Sequence, residues 1–291
     1  MGKERIAIVG AGAAGCALAL ALYQKGYPIV GVASRRIKSA QRGARLVEGG
    51  VYSVYPPDVT RLADAIFITT PDGVIETVCT QIADQGGIPN GAIVAHLSGS
   101  LPSTVLHAAA EKGAAVLSLH PIQTLADPQR GAQNLIGSYF SLEGDPDAVA
   151  FGKKLVEDLE GHPVVISPEM KPLYHSALCV ASNYVVALAD LAAMLLQQIG
   201  MEKAEALRAF LPLLRGTVAN LAQLGLPDAL TGPIRRGDVQ TLIGHLEALR
   251  HTDPEALALY KTIGRWTLRI ARQKGTLTEE AASAIQTLLT S

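Results

Sequence analysis

Three groups of residues in this chain have types and spacings that could do chemistry. The first is Gly10, Gly12 and Gly15 in the run Ile6-Ala7-Ile8-Val9-Gly10-Ala11-Gly12-Ala13-Ala14-Gly15, followed by an alanine-rich stretch to about Lys25. That order reads as strand, tight turn and helix. Gly10 permits the turn, Gly12 presents bare backbone to a pyrophosphate, and Gly15 lets the helix approach the strand. Phosphates would rest at the helix N-terminus, among Ala11, Ala13 and Ala14, where free N–H groups and the helix dipole favour negative charge. Packing alone could also ask for such glycines.

The second group is Ser34, Arg35 and Arg36, which close an apolar run over 27–33 that reads as the second strand. An acid at this place would accept from a ribose 2′-hydroxyl and repel a 2′-phosphate. Two guanidinium groups can hold that phosphate, so the pattern points to NADP(H). The plainer reading is a solvated basic face, since Lys38, Arg42 and Arg45 follow.

The third group lies in the run from Pro168 to Tyr184. At about 100° per residue Lys171, His175 and Ser182 fall within about 40° of one another, flanked by Asn183. A polar stripe on an apolar helix needs partners, in a cleft or in the first domain. Pro172 disfavours helical geometry at Lys171 and puts it on the helix entry. Lys171 is one candidate proton donor; its plain alternative is an exposed lysine near a cap. His120 is the rival acid, or a strand-end histidine that satisfies backbone carbonyls. His175 would line the cleft or donate. The remaining histidines show no metal-ligand spacing, and no metal site is expected.

The elements that must position these groups follow in order. A third apolar run over 65–70 ends at Thr70-Pro71-Asp72, ahead of a helix from about Val74. A fourth, over 92–97, ends at Leu97-Ser98-Gly99-Ser100, and a fifth, over 114–119, ends at His120. Thr70, Pro71, Asp72 and Leu97 would then border the cofactor, with Ser98, Gly99 and Ser100 on the substrate side of the same rim. Short strands over 139–142 and 164–166 flank a helix over 146–160, and no strand pattern follows Ser167. The fold class is therefore a doubly wound, mostly parallel α/β Rossmann domain over 1–167, followed by an all-α domain over 168–291.

Composition narrows the partners. A net charge of −1 over 291 residues supplies no field for nucleic acid or anionic membrane, so small-molecule chemistry is expected. Three scattered cysteines suggest neither disulfides nor zinc. The chain enters its first strand at once, without a signal peptide, and a cytoplasmic location is expected. The apolar stretch Ser176 to Ile199 contains Asn183 and Asp190 and reads as a buried core helix, not a membrane span. Its surplus apolar surface suggests a homodimer.

Across nearly its whole length the chain resembles the superfamily of two-domain reductases that includes 6-phosphogluconate and 3-hydroxyisobutyrate dehydrogenases, ketopantoate reductase and pyrroline-5-carboxylate reductase. Within it, the chain is most similar to a bacterial Rossmann-like family with a C-terminal domain of unknown function. The resemblance is carried by His96-Leu97-Ser98-Gly99-Ser100, by Leu119-His120-Pro121-Ile122-Gln123-Thr124, by Pro168 to Tyr184, and by Leu230-Thr231-Gly232-Pro233-Ile234-Arg235-Arg236-Gly237-Asp238. It implies that Lys171 matches a lysine that donates a proton and orients substrate. It also implies that Ser98 and Ser100 hold a substrate carboxylate. An asparagine follows that lysine by four residues in the relatives; here His175 replaces it. Thr231 and Arg236 would close the cleft from the helical side or from a partner subunit, although turn geometry alone could explain them. The implied activity is NADPH-dependent reduction of a small 2-keto acid, ketopantoate first. The alternatives are reduction of a cyclic imine and NADP(H) sensing without hydride transfer.

Overall fold

In the computed structural model, which describes residues 2–291, the chain divides into two compact units, 1–181 and 182–291. The first is built on eight strands: β1 (Ile6–Val9), β2 (Ile29–Ala33), β3 (Val51–Ser53), β4 (Ala65–Ile68), β5 (Ile93–His96), β6 (Ala115–Pro121), β7 (Tyr139–Gly144) and β8 (His162–Val165). Their order is β3-β2-β1-β4-β5-β6-β7-β8, parallel except where β7 runs against β6. The expected doubly wound α/β sheet is present, with β3 as an additional edge strand.

Alternation explains why the central strands read as unbroken apolar runs. Ile6, Ile8 and Phe67 face one core with Leu18, Leu22, Phe151 and Leu155 from helices Ala13–Gln24 and Pro146–Asp158. Ala7, Val9, Ile66 and Ile68 face a second core with Ile75, Cys79 and Ile82 of helix Ile75–Asp84. Both faces of the sheet are covered, so both sets of alternate residues must be apolar. The strand order reverses between β1 and β4, and the carboxyl ends of the strands meet beside that point.

The expected domain boundary after residue 167 differs from the contact division, which falls after Ala181. Helix Lys171–Ala181 belongs to the first unit because Lys171, 1% exposed, hydrogen-bonds to β6 and to the turn after β5. Lys171 is itself helical (φ −57°, ψ −42°), a correction to the effect expected of Pro172. The helix is interrupted at Ser182 (φ −123°, ψ −70°), and Asn183 starts a new helix, Asn183–Gln197, in the second unit. The continuous stripe expected to align Asn183 with Lys171 and His175 is therefore broken.

The second unit is helical throughout, and its core is made by Ile234, Leu242, Leu268, Ala271, Ala282, Ile285 and Leu289. All of these lie in the later helices. The expectation of a buried core helix over Ser176–Ile199 is not met: in helix Asn183–Gln197 only Ala193 is buried, while Tyr184 is 58% and Val186 69% exposed. The following helix, Lys203–Leu224, likewise buries Ala206 alone and leaves Leu213 73% exposed. The segment Pro168–Gln197 contains an 18-residue window of mean hydropathy 1.8 and is long and apolar enough to cross a membrane by length and composition. Its first helix, however, is anchored through Lys171 in the first unit.

Candidate active site

The glycine turn has the geometry its spacing predicts. Gly10 takes φ +122°, and a Cβ there would come within 2.9 Å of the Thr69 backbone and hydroxyl. At Gly15 a Cβ would overlap the Gly10 carbonyl and the Thr69 hydroxyl. Thr69 is a residue that sequence reasoning missed: its Oγ1 donates to the Gly10 carbonyl at 2.7 Å and fixes the turn against β4. Gly12 is different, because nothing lies within 4 Å of its Cβ position. Gly12 also starts helix Ala13–Gln24 without any side-chain cap. The first-turn N–H groups at Ala13 and Ala14 thus face open space, as a phosphate site requires.

That space is one side of a cleft of about 650 Å³ lined by Gly10, Ala11, Gly12, Ser34, Arg35, Arg36, Thr70 and Pro71, all expected from the sequence. Ser39 and Arg42 line it as well. Arg42, which in the sequence extends the plainer reading of a solvated basic face, lies at the cleft instead. Arg35, Arg36 and Arg42 make no ion pair among the described residues. Thr70 Oγ1 is buried without a hydrogen-bond partner. Free arginines, uncapped amides, an open glycine and an orphaned hydroxyl fit NADP(H).

Asp72 and Leu97, also expected at the cofactor, lie outside this cleft lining. Leu97 packs against the hydrophobic core. Asp72 is taken up by the turn after β5, where Ser98 Oγ and Ser100 Oγ both donate to its Oδ2, at 2.8 and 3.1 Å. Ser98 Oγ also accepts from the amides of Ser100 and Leu101. The two serine hydroxyls expected to hold a substrate carboxylate are thus committed to a protein carboxylate.

Beyond this turn a cluster of ionisable groups forms at the ends of β5 and β6. Lys171 Nζ donates to Ser118 Oγ at 2.7 Å and to the Ser98 carbonyl at 3.3 Å. Burial pulls its ammonium below the ordinary lysine range, against the opposing pull of Glu143 and Asp72. Neither of the surroundings weighed for Lys171, an open cleft or a solvated cap, is the one found. His120 Nδ1 lies 2.8 Å from Tyr174 Oη, and the His120 and His175 rings meet edge to face at 6.0 Å. Burial, then the neighbouring Lys171 and His175 charges, lower the His120 imidazole to about 4. His96, without a role in the sequence reading, braces the turn: its Nδ1 accepts from the Ser98 amide and its Nε2 faces the Pro102 carbonyl at 3.2 Å. Burial lowers it, too, to about 4.

The second unit holds Asn183, Thr231 and Arg236. Thr231 lines an apolar pocket of about 230 Å³ with Leu188, Ile234 and Tyr260, and Arg236 is exposed at the end of the short helix Pro233–Arg236. Among the described residues no group of three His, Cys, Asp or Glu side chains could hold a metal ion.

Fold and cleft define the class: a Rossmann-fold protein built like the NADP oxidoreductases, with a helical C-terminal domain. Residues 2–121 match the Rossmann-like domain and residues 138–267 the domain of unknown function DUF2520. The chain thus carries a Rossmann-like domain followed by a DUF2520 domain. It is similar to a candidate NADP oxidoreductase from Bacteroides fragilis, at 27% identity and TM-score 0.73 over 91% of this chain and 98% of that one. A protein from Thermotoga maritima is similar at 25% identity and TM-score 0.70, over 92% and 99% of the two chains. A reductive aminase from Aspergillus terreus, solved with NADPH and ethyl-5-oxohexanoate, shares the fold at 17% identity and TM-score 0.60, over 99% and 93%. No curated protein sequence matches the chain.

Two predictions follow from this geometry. Gly15→Ala must displace the Gly10 turn and should lower Tm markedly, whereas Gly12→Ala should leave Tm nearly unchanged and weaken NADPH binding at least about tenfold, because its methyl meets only the ligand. Thermal melts and cofactor titration of both variants check this. For pH, the folded imidazoles at 96 and 120 titrate near 4, against about 6.5 when unfolded. Their contribution is complete above about pH 6.5 and is lost as pH falls through about 4, since the unfolded chain binds more protons in that window. Urea midpoints at about pH 7.5 and about pH 5 should show a loss of at most about 2 kcal/mol per histidine. His120→Asn should lose correspondingly less.

Proposed function

We propose that this protein is an NADPH-dependent oxidoreductase that reduces the carbonyl or imine carbon of a small substrate. The observation that carries this reading is the cleft that joins the open glycine turn to Arg35 and Arg36 after β2 and to Arg42 of helix Ile37–Arg45, none of them in an ion pair among the described residues. NADPH, when bound, supplies a hydride. The chain's own residues hold its phosphates at the turn and at Arg35, Arg36 and Arg42. They also hold a neutral imidazole, His120, beside the ends of β5 and β6.

A 2-keto acid, with ketopantoate first, is the substrate class suggested by the resemblance. A specific observation favours the imine alternative. Asp72 Oδ2 takes both serine hydroxyls, while its Oδ1 accepts no hydrogen bond among the described residues. A free carboxylate oxygen repels a substrate carboxylate and attracts a protonated imine nitrogen. Lys171 serves in this reading as the buried anchor that brings helix Lys171–Ala181 to β6. Asn183, Thr231 and Arg236 remain candidates for closing the site from the helical side. A cytoplasmic location belongs to the same reading.

The test is NADPH oxidation against ketopantoate, other branched 2-keto acids, pyrroline-5-carboxylate and 1-pyrroline, the same cyclic imine without the carboxylate. Turnover of the imine, lost in Asp72→Asn, supports the imine substrate; turnover of ketopantoate supports the keto acid. Arg35→Ala with Arg36→Ala should raise Kd for NADPH by about 10- to 100-fold and barely change that for NADH, the loss expected of charge-assisted phosphate contacts. Tight NADPH binding without turnover of any of these compounds favours the sensor.

The exposed apolar residues of helices Asn183–Gln197 and Lys203–Leu224 support a homodimer as the working form. Light scattering should give twice the chain mass for the wild type. Val186→Asp with Leu213→Asp should halve it.

A further inference from the structure

Tyr174 carries no role in the sequence reading, yet it engages an imidazole that the site keeps neutral. Its Oη lies 2.8 Å from His120 Nδ1, and the two rings stand edge to face with centroids 5.7 Å apart. His175 packs on the same imidazole, and the turn after β5 closes it in: a Cβ at Gly99 would come within 2.9 Å of His120 Nε2 and 2.7 Å of His175 Cδ2. The imidazole is therefore clamped in one orientation. Ser141, paired with His120 across β6 and β7, has a buried hydroxyl without a hydrogen-bond partner, close enough to the phenol to ease its ionisation. Lys171 adds a positive charge nearby, and burial of the phenol raises it above the ordinary tyrosine value.

Neutral imidazole and phenol have one N–H and one O–H between them to share. With the proton on Nδ1, His120 donates to Tyr174 Oη, and the phenolic O–H is left to point at a ligand. Lys171 is poorly placed to compete, since it is 1% exposed and donates to Ser118 and Ser98.

We propose that the Tyr174 phenol is the proton donor of the reduction, with His120 Nδ1–H holding its oxygen and restoring its proton. The inference rests on the reductase reading above. At a C=O the π pair moves to oxygen as the carbon accepts hydride, and the oxygen takes the phenolic proton. A C=N that arrives neutral takes that proton on nitrogen first, becoming the cation that Asp72 attracts, and hydride then adds with no further proton. The Tyr174 O–H bond breaks and a new O–H or N–H bond forms. The phenolate then takes the Nδ1 proton of His120 while Nε2 gains one from water; solvent exchange returns the imidazole to its Nδ1–H tautomer before the next turnover, so both groups end as they began and solvent supplies the one proton consumed.

Two measurements on the full chain test this, with Tyr174→Phe preserving the ring and a melting curve confirming the fold. In nitrogen-15 spectra of the histidines, His120 should be the Nδ1–H tautomer, and its Nδ1 signal should move in Tyr174→Phe. An Nε2–H tautomer, or a signal indifferent to the substitution, overturns the proposal without any substrate. With the ketone or imine that the wild type turns over, Tyr174→Phe should lower kcat by about 10²- to 10⁴-fold at unchanged Kd for NADPH. A kcat within about threefold of wild type overturns the role of Tyr174 and leaves the reductase standing. A wild type that binds NADPH and turns over none of the compounds overturns the reductase, and the donor role with it.

Discussion

The site depends on one buried cation. Lys171 reaches the Ser118 hydroxyl and the Ser98 carbonyl from the first turn of its helix, with almost none of its surface in water. A lysine in such a place must spend its N–H groups on protein acceptors, because an unpaired buried ammonium is too costly. Those two contacts fix helix Lys171–Ala181 against β5 and β6, and with it Tyr174 and His175. The same charge helps to keep His120 neutral. One hydrogen-bonded lysine thus sets the position of its neighbours and adds to the burial that keeps His120 neutral.

The turn after β5 is the second organising feature, and it works by exclusion. His96 pins the Ser98 amide, Ser98 caps the amides of Ser100 and Leu101, and both hydroxyls converge on Asp72. Glycine at 99 is needed because two imidazoles occupy the space of a Cβ. What reads in sequence as a polar loop ready for a ligand is a closed network whose free valence is a carboxylate oxygen. That reverses the sign of the charge offered to a substrate. The proposed imine reading rests on that sign.

The nucleotide half of the protein is assembled on different physics. Gly15 meets the Gly10 carbonyl and Thr69, while Gly12 meets nothing. Of these glycines one serves packing and one leaves open space, although a spacing rule treats them alike. Arg35 and Arg36 make no ion pair among the described residues at the cleft wall, where charge-assisted bonds to a phosphate would form.

The sequence alone determined every strand but β3, the glycine turn and the basic strand end, because these rest on local patterns: period-two alternation buried on both faces, φ-permissive glycines, and charge at a fixed distance from a turn. Residues over 6–15 and 34–36 name one wall of the cleft, while Ser39, Arg42 and Thr69 join it only in the fold. Tertiary structure decided the rest. Whether Lys171 faces water or Ser118, whether Ser98 serves a ligand or Asp72, and that Tyr174 meets His120 all depend on side chains brought together from 26 to 73 positions apart. The long apolar helix reads as core by composition. It is exposed here because the later helices of the second unit close their own core without it. Hydrophobicity states that a surface is to be covered; only packing determines what covers it.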